Sequence, residues 1–340
     1  MSEIITVIGA TGKQGSGVVS ALLDSSNSSS ASKSYTVRAV SSDPSGSKAQ
    51  ALLSAHPSAV QSGQLQVVQG DLRDVESLKR AFEGAYGVFA ACPFIPAGGI
   101  PAEQSDEYKQ GLNIVHAAKA CGVKHFVYSS LNHLSKLSGG KYTHVTHEDA
   151  KALVAQYARE QLEAVTILIP PAFYSNLAWP LFARREKDGT VTVCVPVDPD
   201  VKMEWVDESV DVGKFAAAAF RVGPKVSAGK TYPVCSSRLT PVQLAEEYEQ
   251  CTGEKTRVQR LSMEEVRQAM TGIMGEGAAI ELIELFSWLG EVPEGTICSG
   301  AMKPEEDTSQ ADLGVRASTL TEFLQRTGFR VPAASGEHSG

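Results

Sequence analysis

Short apolar runs alternate with helix-patterned stretches through the first 170 residues of the chain. The runs are Ile4–Ile8, Tyr35–Val40, Leu65–Val68, Gly87–Ala91, His125–Tyr128 and Val165–Ile169. Continuous runs of this kind, rich in β-branched residues, are typical of strands buried on both faces of a parallel sheet. Apolar residues repeat at helical spacing between them, as at Val18, Val19, Leu22 and Leu23. The alternation predicts an α/β fold with a doubly wound parallel sheet.

Three glycines, Gly9, Gly12 and Gly15, follow the first apolar run. Gly9 permits a tight turn, Gly12 lets the backbone approach a pyrophosphate, and Gly15 allows the helix to pack closely on the strand. The N–H groups at the start of the following helix attract phosphate. A strand, this glycine pattern and a helix together predict a Rossmann-type dinucleotide site rather than a glycine-rich turn without a ligand.

The second half of the chain carries three helix-start signals, Thr240–Gln243, Ser262–Glu265 and Thr319–Glu322. We therefore expect a mainly dinucleotide-binding domain over residues 1–170. Residues 171–335 are expected to form a smaller C-terminal α/β lobe that binds substrate, with strands able to return to the main sheet. The serine-rich segment 25–34 is interpreted as a flexible surface insertion rather than a phosphorylation site.

Composition narrows the class of protein. The net charge is −8 and no basic cluster offsets it, which argues against direct nucleic-acid binding. No run approaches the roughly twenty apolar residues that a membrane span needs, and the N-terminus lacks a signal-peptide pattern, so a soluble cytoplasmic protein is expected. Six cysteines without a C-x-x-C pair predict reduced, structural thiols and no metal site.

The end of the second strand distinguishes between the two dinucleotides. A carboxylate there would bind the ribose hydroxyls of NAD and repel the 2′-phosphate of NADP. The strand ends instead in Ser41 and Ser42, and the first acid is Asp43. Neutral hydroxyls at this place predict NADP(H), with Arg38 or Lys48 as partners for the phosphate. Arg38 fits equally well as an ordinary exposed strand residue.

Asp71 follows the third strand in the segment Gly70–Leu72. Its carboxylate has two interpretations: it accepts a hydrogen bond from the adenine amino group, or it caps the next helix.

Several segments together resemble the NmrA-like family of atypical short-chain dehydrogenases over most of the chain. They are Gly9–Gly15, Gly70–Leu72, Gly122–Ser130, Lys136–Tyr142, His147–Lys151, Pro171–Leu177 and Val210–Gly213. The resemblance implies an NADP(H)-preferring Rossmann domain with a small C-terminal lobe, in a family of both redox-sensing regulators and reductases. The cofactor contacts expected on this basis are Gly9, Thr11, Gly12, Lys13, Gln14, Gly15, Arg38, Ser41, Ser42, Asp71, Leu72, Ala91, Cys92, Lys151 and Pro171.

The resemblance assigns the central chemistry to Lys151. In ordinary short-chain dehydrogenases a tyrosine one helical turn before this lysine protonates the carbonyl, while the lysine binds the nicotinamide ribose. This chain has His147 at the tyrosine position. His147 is either a proton donor or a structural or ligand-contacting histidine. Lys151 is either the ribose-binding acid or base, as in isoflavone-reductase-like enzymes, or a solvated lysine on a helix face.

The carboxyl edge of the sheet is also the expected substrate side. The residues expected to line the pocket are Phe94, Ser130, Phe173, Tyr174, Asn176 and Trp179. The aromatic members suit a flat or apolar substrate, although aromatic residues are equally typical of a core. If the usual catalytic serine belongs one residue later, its place is taken by Leu131 and the proton relay is incomplete.

Two functions remain open at this point. The first is reduction of a small apolar or aromatic carbonyl, imine or activated alkene by NADPH, with Lys151 and His147 managing the proton. The second is a non-catalytic NADP(H)-binding sensor that acts through a regulatory protein partner and is present in the nucleus as well.

Overall fold

Seven parallel strands form the main sheet, with the spatial order β11-β6-β5-β4-β1-β2-β3. The strands of the chain are β1 Glu3–Val7, β2 Tyr35–Ser41, β3 Leu65–Gln69, β4 Gly87–Ala90, β5 His125–Ser129, β6 Val165–Ile169, β7 Ala172–Phe173, β8 Ala183–Arg185, β9 Val191–Val195, β10 Met203–Val206, β11 Thr231–Pro233, β12 Ser237–Leu239 and β13 Thr256–Arg260. The six strands predicted from the apolar runs are confirmed to within one residue at each end.

The computed structural model describes residues 2–24, 34–95, 99–235 and 237–333. Its α-helices are α1 Lys13–Leu23, α2 Ser47–Ala55, α3 Pro57–Gln61, α4 Val75–Phe82, α5 Asp106–Ala120, α6 Leu134–Leu137, α7 Thr146–Gln161, α8 Asp211–Val222, α9 Pro224–Ser227, α10 Pro241–Thr252, α11 Met263–Met274, α12 Glu276–Leu289, α13 Ser309–Leu313 and α14 Leu320–Thr327. The predicted serine-rich insertion, apart from Ser34, lies outside the described residues.

Helices cover both faces of the main sheet, so the predicted doubly wound α/β fold is confirmed. One apolar core joins the sheet to α1 and α8, and another joins it to α4, α5 and α7. Helices α1 and α8 meet backbone to backbone. A Cβ atom on Gly17 would overlap the carbonyl oxygen of Ser209, and a Cβ atom on Gly213 would overlap that of Gly17. The strand order reverses between β1 and β4, which is the switch point where ligands of such sheets bind.

The C-terminal residues divide between the main sheet and a smaller lobe. Strand β11 pairs in parallel with β6 at the edge of the main sheet. Two three-stranded sheets, β12-β10-β7 and β13-β9-β8, pack with α10, α11, α12 and α14 around a core that includes Trp205, Phe286 and Phe323. The three predicted helix starts are confirmed, since Thr240, Ser262 and Thr319 each form a reciprocal capping box.

Among the described residues, none of the helices combines the length and the apolar character that crossing a bilayer requires.

Candidate dinucleotide and active site

The glycine loop between β1 and α1 is shaped by close backbone contacts. Gly9 has a φ of +75°, and a Cβ atom there would lie 2.8 Å from the carbonyl oxygen of Ala91. A Cβ atom on Gly15 would overlap the carbonyl oxygen of Gly9. Gly12 is the N-cap of α1. The loop therefore brings the start of α1 so close to the ends of β1 and β4 that Cβ atoms would not fit at Gly9 and Gly15, and such close packing is typical of a pyrophosphate-binding loop.

Lys13, at the first position of α1, contacts the C-terminal half of the chain. Its Nζ lies 2.7 Å from the Ser175 hydroxyl and 3.3 Å from Glu208 Oε1. The Glu208 side chain is buried, while that of Lys13 is largely exposed. Lys13 thus links the glycine loop to residues after β6 and β10, a contact that sequence reasoning did not predict.

The end of β2 carries the predicted hydroxyl groups. The Ser41 hydroxyl donates to the Asp43 carbonyl (2.9 Å) and accepts from its N–H (3.1 Å). The Asp43 carboxylate accepts from the N–H and hydroxyl of Ser45 and is therefore engaged within its own turn. Ser42 is exposed beside this turn.

Arg38 is not brought to the end of β2. It lies in the middle of the strand, and its guanidinium donates to the carbonyls of Ala81 (3.4 Å) and Glu83 (2.5 Å) at the end of α4. Of the two interpretations left open by the sequence, this geometry favours the strand residue over the phosphate partner. The carbonyls at a helix C-terminus are natural partners for an arginine.

Asp71 does not cap α4, so that interpretation is wrong. The N-cap is Asp74, whose carboxylate accepts from the Glu76 N–H at 3.0 Å. Asp71 accepts from the Arg73 N–H at 2.9 Å within the preceding turn and is exposed. The neighbouring Leu72 is half-buried, and its carbonyl accepts from the Asn113 side chain.

The ammonium group of Lys151 is held by two contacts with neighbouring segments. Its ammonium forms an ion pair with Glu107 at the start of α5 and donates to the carbonyl of Cys92 at 3.3 Å. The side chains of Lys151 and Glu107 are 12% and 1% exposed, so the solvated-lysine interpretation is wrong. Burial lowers the pKa of Lys151 to about 8, and the charge of the neighbouring Cys92 opposes this shift.

Two serines at the end of β5 hold the surrounding elements together. The Ser129 hydroxyl donates to the Gln14 side chain at 2.6 Å. The Ser130 hydroxyl donates to the carbonyl of Lys151 at 3.1 Å and is buried. Ser130 therefore fixes α7 to the sheet, which is a different role from the pocket-lining hydroxyl predicted from the sequence.

His147, on helix α7, lies against the C-terminal lobe. Its Nδ1 lies 2.6 Å from Oε2 of Glu281 in α12. The ring also contacts Phe94 edge to face, with 4.9 Å between ring centroids. The side chains of His147 and Glu281 are 11% and 0% exposed. His147 is thus fixed on both sides, one helical turn from Lys151.

Glu148 adds a buried carboxyl group beside this pair. Burial raises its pKa to about 7; the charge of His147 counteracts the shift, and the charges of Asp149 and Glu281 add to it. A carboxyl group in this range exchanges protons near neutral pH. Sequence reasoning missed Glu148 because its burial depends on the lobe that packs over α7.

The aromatic residues predicted to line the pocket are brought together only in part. Tyr174 is fully buried and stacks on Trp205 and Phe323, with centroid distances of 6.2 and 5.4 Å. Its assignment to the pocket is therefore wrong, because it belongs to the core of the lobe. Trp179 is 47% exposed at the surface. Three other residues predicted for the site, Pro171, Phe173 and Asn176, are half-buried.

Sequence reasoning also missed the partners Glu107, Glu208 and Glu281. Only Glu107 had a local signal, as an acid in the first turn of a helix capped by Ser105. No grouping of histidine, cysteine and acidic residues suited to a metal ion occurs within ranges 2–24, 34–95, 99–235 and 237–333. Each of the six cysteines is present as a thiol rather than as a disulfide.

Comparison with known proteins yields one family whose sequence profile, described as the NmrA-like family, matches residues 1–324. The NmrA-like family domain-containing oxidoreductase malD of Malbranchea aurantiaca is 29% identical over 271 residues, 76% of each chain. The nitrogen metabolite repression protein nmrA of Emericella nidulans is 30% identical over 179 residues, 51% of this chain and 48% of that protein.

Solved structures share the fold. NmrA, a negative transcriptional regulator solved in complex with NADP, has a TM-score of 0.70 and 21% identity, covering 96% of this chain and 95% of that one. The NADPH-dependent quinone oxidoreductase QOR2 of Escherichia coli, complexed with NADPH, has a TM-score of 0.66 and 22% identity, covering 96% and 100%.

Proposed function

We propose that this chain, which belongs to the NmrA-like family, is an NADP(H)-dependent oxidoreductase that reduces a small apolar or aromatic carbonyl, imine or activated alkene. The observation that carries the proposal is the buried Lys151, held by Glu107 and by the carbonyl of Cys92. A buried, paired lysine beside the switch point of a Rossmann sheet is typical of a functional group rather than a surface charge. Relatives named as oxidoreductases support the proposal.

The described residues fit a dinucleotide. The close approach of Gly9, Gly15 and Ala91 leaves no room for Cβ atoms, so only glycine fits at Gly9 and Gly15 in this loop, which is proposed as the phosphate cradle. The residues proposed to hold the cofactor are Gly9, Thr11, Gly12, Lys13, Gln14 and Gly15 at the pyrophosphate, Ser41 and Ser42 at the 2′-phosphate, Asp71 and Leu72 at the adenine, and Ala91, Cys92, Lys151 and Pro171 at the nicotinamide ribose. Solved neighbours that bind NADP or NADPH support NADP(H) as the cofactor.

The nicotinamide would supply a hydride to the electrophilic carbon of the substrate. Lys151 would bind the ribose hydroxyls through its charge and, together with His147, manage the proton that the substrate oxygen, nitrogen or carbon takes up. A pKa of about 8 leaves its ammonium mostly protonated near neutral pH and able to release the proton. Phe94, which is partly exposed beside His147, offers an apolar face to the substrate.

The alternative function is an NADP(H)-binding sensor that acts through a protein partner. Two relatives named nitrogen metabolite repression proteins favour it, as does His147 at the usual tyrosine position. A sensor must favour one cofactor state over the other, since equal affinities shift no equilibrium. We expect the protein in the cytoplasm for either function, and in the nucleus as well if it is a regulator.

The test is NADPH oxidation by the purified protein on a panel of aromatic aldehydes, quinones, imines and enones. Turnover that is lost in Lys151→Ala, with folding retained, supports the reductase. Lys79→Ala is the control, because Lys79 pairs with the exposed Glu76 on α4, away from Lys151. Unchanged turnover in Lys151→Ala would refute the assignment. Tight binding without turnover, with different affinities for NADP and NADPH, would instead support the sensor.

A further inference from the structure

The contact between His147 and Glu281 joins helix α7 of the main domain to helix α12 of the lobe. Glu281 Oε2 lies 2.6 Å from His147 Nδ1 and 3.4 Å from the backbone nitrogen of the same residue. The Glu281 side chain is fully buried and the His147 side chain nearly so. This carboxylate therefore holds both the ring and the start of α7.

The geometry fixes which ring nitrogen carries the proton. An ionised carboxylate has no proton to donate, so Nδ1 of His147 must be the donor in this hydrogen bond. The neutral ring then has its lone pair on Nε2, which is the atom that takes up a second proton. The edge-to-face contact with Phe94 restricts rotation of the ring. No hydrogen bond to Nε2 occurs within the part of the chain that the structure describes.

We propose that Glu281 is a positioning residue that fixes the Nδ1–H tautomer of His147 and so makes Nε2 the proton donor to the substrate. This inference rests on the proposed reductase function. Hydride from NADPH adds to the electrophilic atom, and the electron pair released onto the substrate oxygen, nitrogen or carbon takes the proton from Nε2–H. The products are NADP, the reduced substrate and neutral His147, which solvent protonates again.

Three charged side chains lie near His147 in space or along its helix. Glu281 contacts the ring from α12. Glu148 is its neighbour on α7, and Lys151 lies one turn further along the same helix. An imidazolium must form at His147 before each turnover, and the carboxylate of Glu281 is the negative charge placed against it.

A second pair of the same chemistry provides a matched control. Glu284, one turn further along α12, lies 2.6 Å from Nδ1 of His144 and accepts from the His144 N–H at 2.7 Å. The side chains of His144 and Glu284 are 47% and 18% exposed. This pair also docks the lobe onto the segment before α7, but His144 lies outside the helix that carries Lys151. A substitution in this pair therefore reports the effect of docking the lobe without an effect on proton transfer.

The kinetic test compares Glu281→Gln with Glu284→Gln on the substrate identified by the panel. We expect kcat to fall about tenfold or more in Glu281→Gln, with the KM for NADPH nearly unchanged and the alkaline limb of the kcat pH profile displaced, because a proton donor acts only in its protonated form. Glu284→Gln should keep kcat within about twofold. Equal losses in both variants, or none in either, would overturn the proposal, because the pairs would then serve docking alone.

A second measurement needs no substrate. Heteronuclear NMR of the histidine ring nitrogens, assigned with His147→Asn, reports the tautomer of His147 directly. We expect the Nδ1–H form in the wild-type protein and its loss in Glu281→Ala, with Glu284→Ala unchanged. The same tautomer in wild type and Glu281→Ala would overturn the inference. An absence of turnover in the wild type would instead count against the reductase itself.

Discussion

The ammonium group of Lys151 and the carboxylate of Glu107 form a buried ion pair between α7 and α5. Glu107 also accepts from the N–H of Ile95, at 3.3 Å. One carboxylate therefore connects the proposed catalytic lysine to the segment that follows β4. Breaking a buried pair by removing one partner leaves the other charge uncompensated, which is usually costly.

Glu107→Gln should destabilise the protein most where Lys151 is cationic. The buried ammonium loses its counter-charge, so its pKa falls below the present value of about 8. The loss of unfolding free energy should be largest near about pH 6 and small near about pH 9.5, where Lys151 is neutral in both proteins. Chemical denaturation at the two pH values measures it.

The double variant Glu107→Gln/Lys151→Met is the control for this prediction. It removes both charges, so the pH-dependent part of the loss should disappear. A loss in Glu107→Gln that is the same at both pH values would contradict the ion-pair interpretation.

Glu148→Gln should change how stability depends on pH. Burial raises the folded-state pKa of Glu148 from 4.5 to about 7, so the folded chain binds more protons than the unfolded chain between these values. Wild-type stability should therefore fall as the pH rises through this window, by roughly 3 kcal/mol for this group. In Glu148→Gln that decline should be absent, and the variant should be the more stable protein near about pH 8.

Urea denaturation across the same pH range measures the effect. The exposed Glu163, just after α7, supplies the control, and Glu163→Gln should follow the wild-type curve. Parallel curves for Glu148→Gln and wild type would mean that Glu148 does not titrate in this window.

Gly15→Ala should reduce both stability and NADPH binding. A methyl group on Gly15 would overlap the carbonyl oxygen of Gly9, so the loop must move away from the phosphate cradle. We expect NADPH affinity to fall about tenfold or more and the melting temperature to drop. Thermal melts and titration of NADPH fluorescence measure the two effects.

Gly272→Ala is the matched control in helix α11. A Cβ atom there meets nothing within 4 Å, so alanine should stabilise the helix by up to about 1 kcal/mol without changing NADPH binding. If Gly15→Ala kept wild-type affinity, the glycine loop would not be the phosphate site.

Ser42→Asp should shift the preference between the two cofactors. A carboxylate at the end of β2 would repel the 2′-phosphate, so we expect the ratio of NADPH to NADH affinity to fall about tenfold or more. Arg38→Met should leave this ratio unchanged and cost about 1 kcal/mol of stability, because Arg38 binds carbonyls at the end of α4. Binding titrations with both cofactors measure the ratio. A ratio that changed in Arg38→Met and not in Ser42→Asp would contradict these roles.

The strands β1 to β6, three helix starts and the glycine loop could be predicted from the sequence alone. The strands β1 to β6 follow from runs of apolar residues, and α10, α11 and α14 begin at their capping boxes. Gly9 and Gly15 were identifiable because turns, caps and close backbone contacts are fixed by a few neighbouring residues. Such signals are local, so they can be recognised without the tertiary structure.

The contacts between side chains that are distant in the sequence could be identified only from the tertiary structure. His147 and Glu281 are 134 residues apart, and no pattern in either helix indicates that α12 lies over α7. Arg38 contacts the end of α4, and Tyr174 lies in the core of the lobe. The packing of distant elements determines the space and the partners available to each. Burial depends on the whole fold, and burial lowers the pKa of Lys151 and raises that of Glu148.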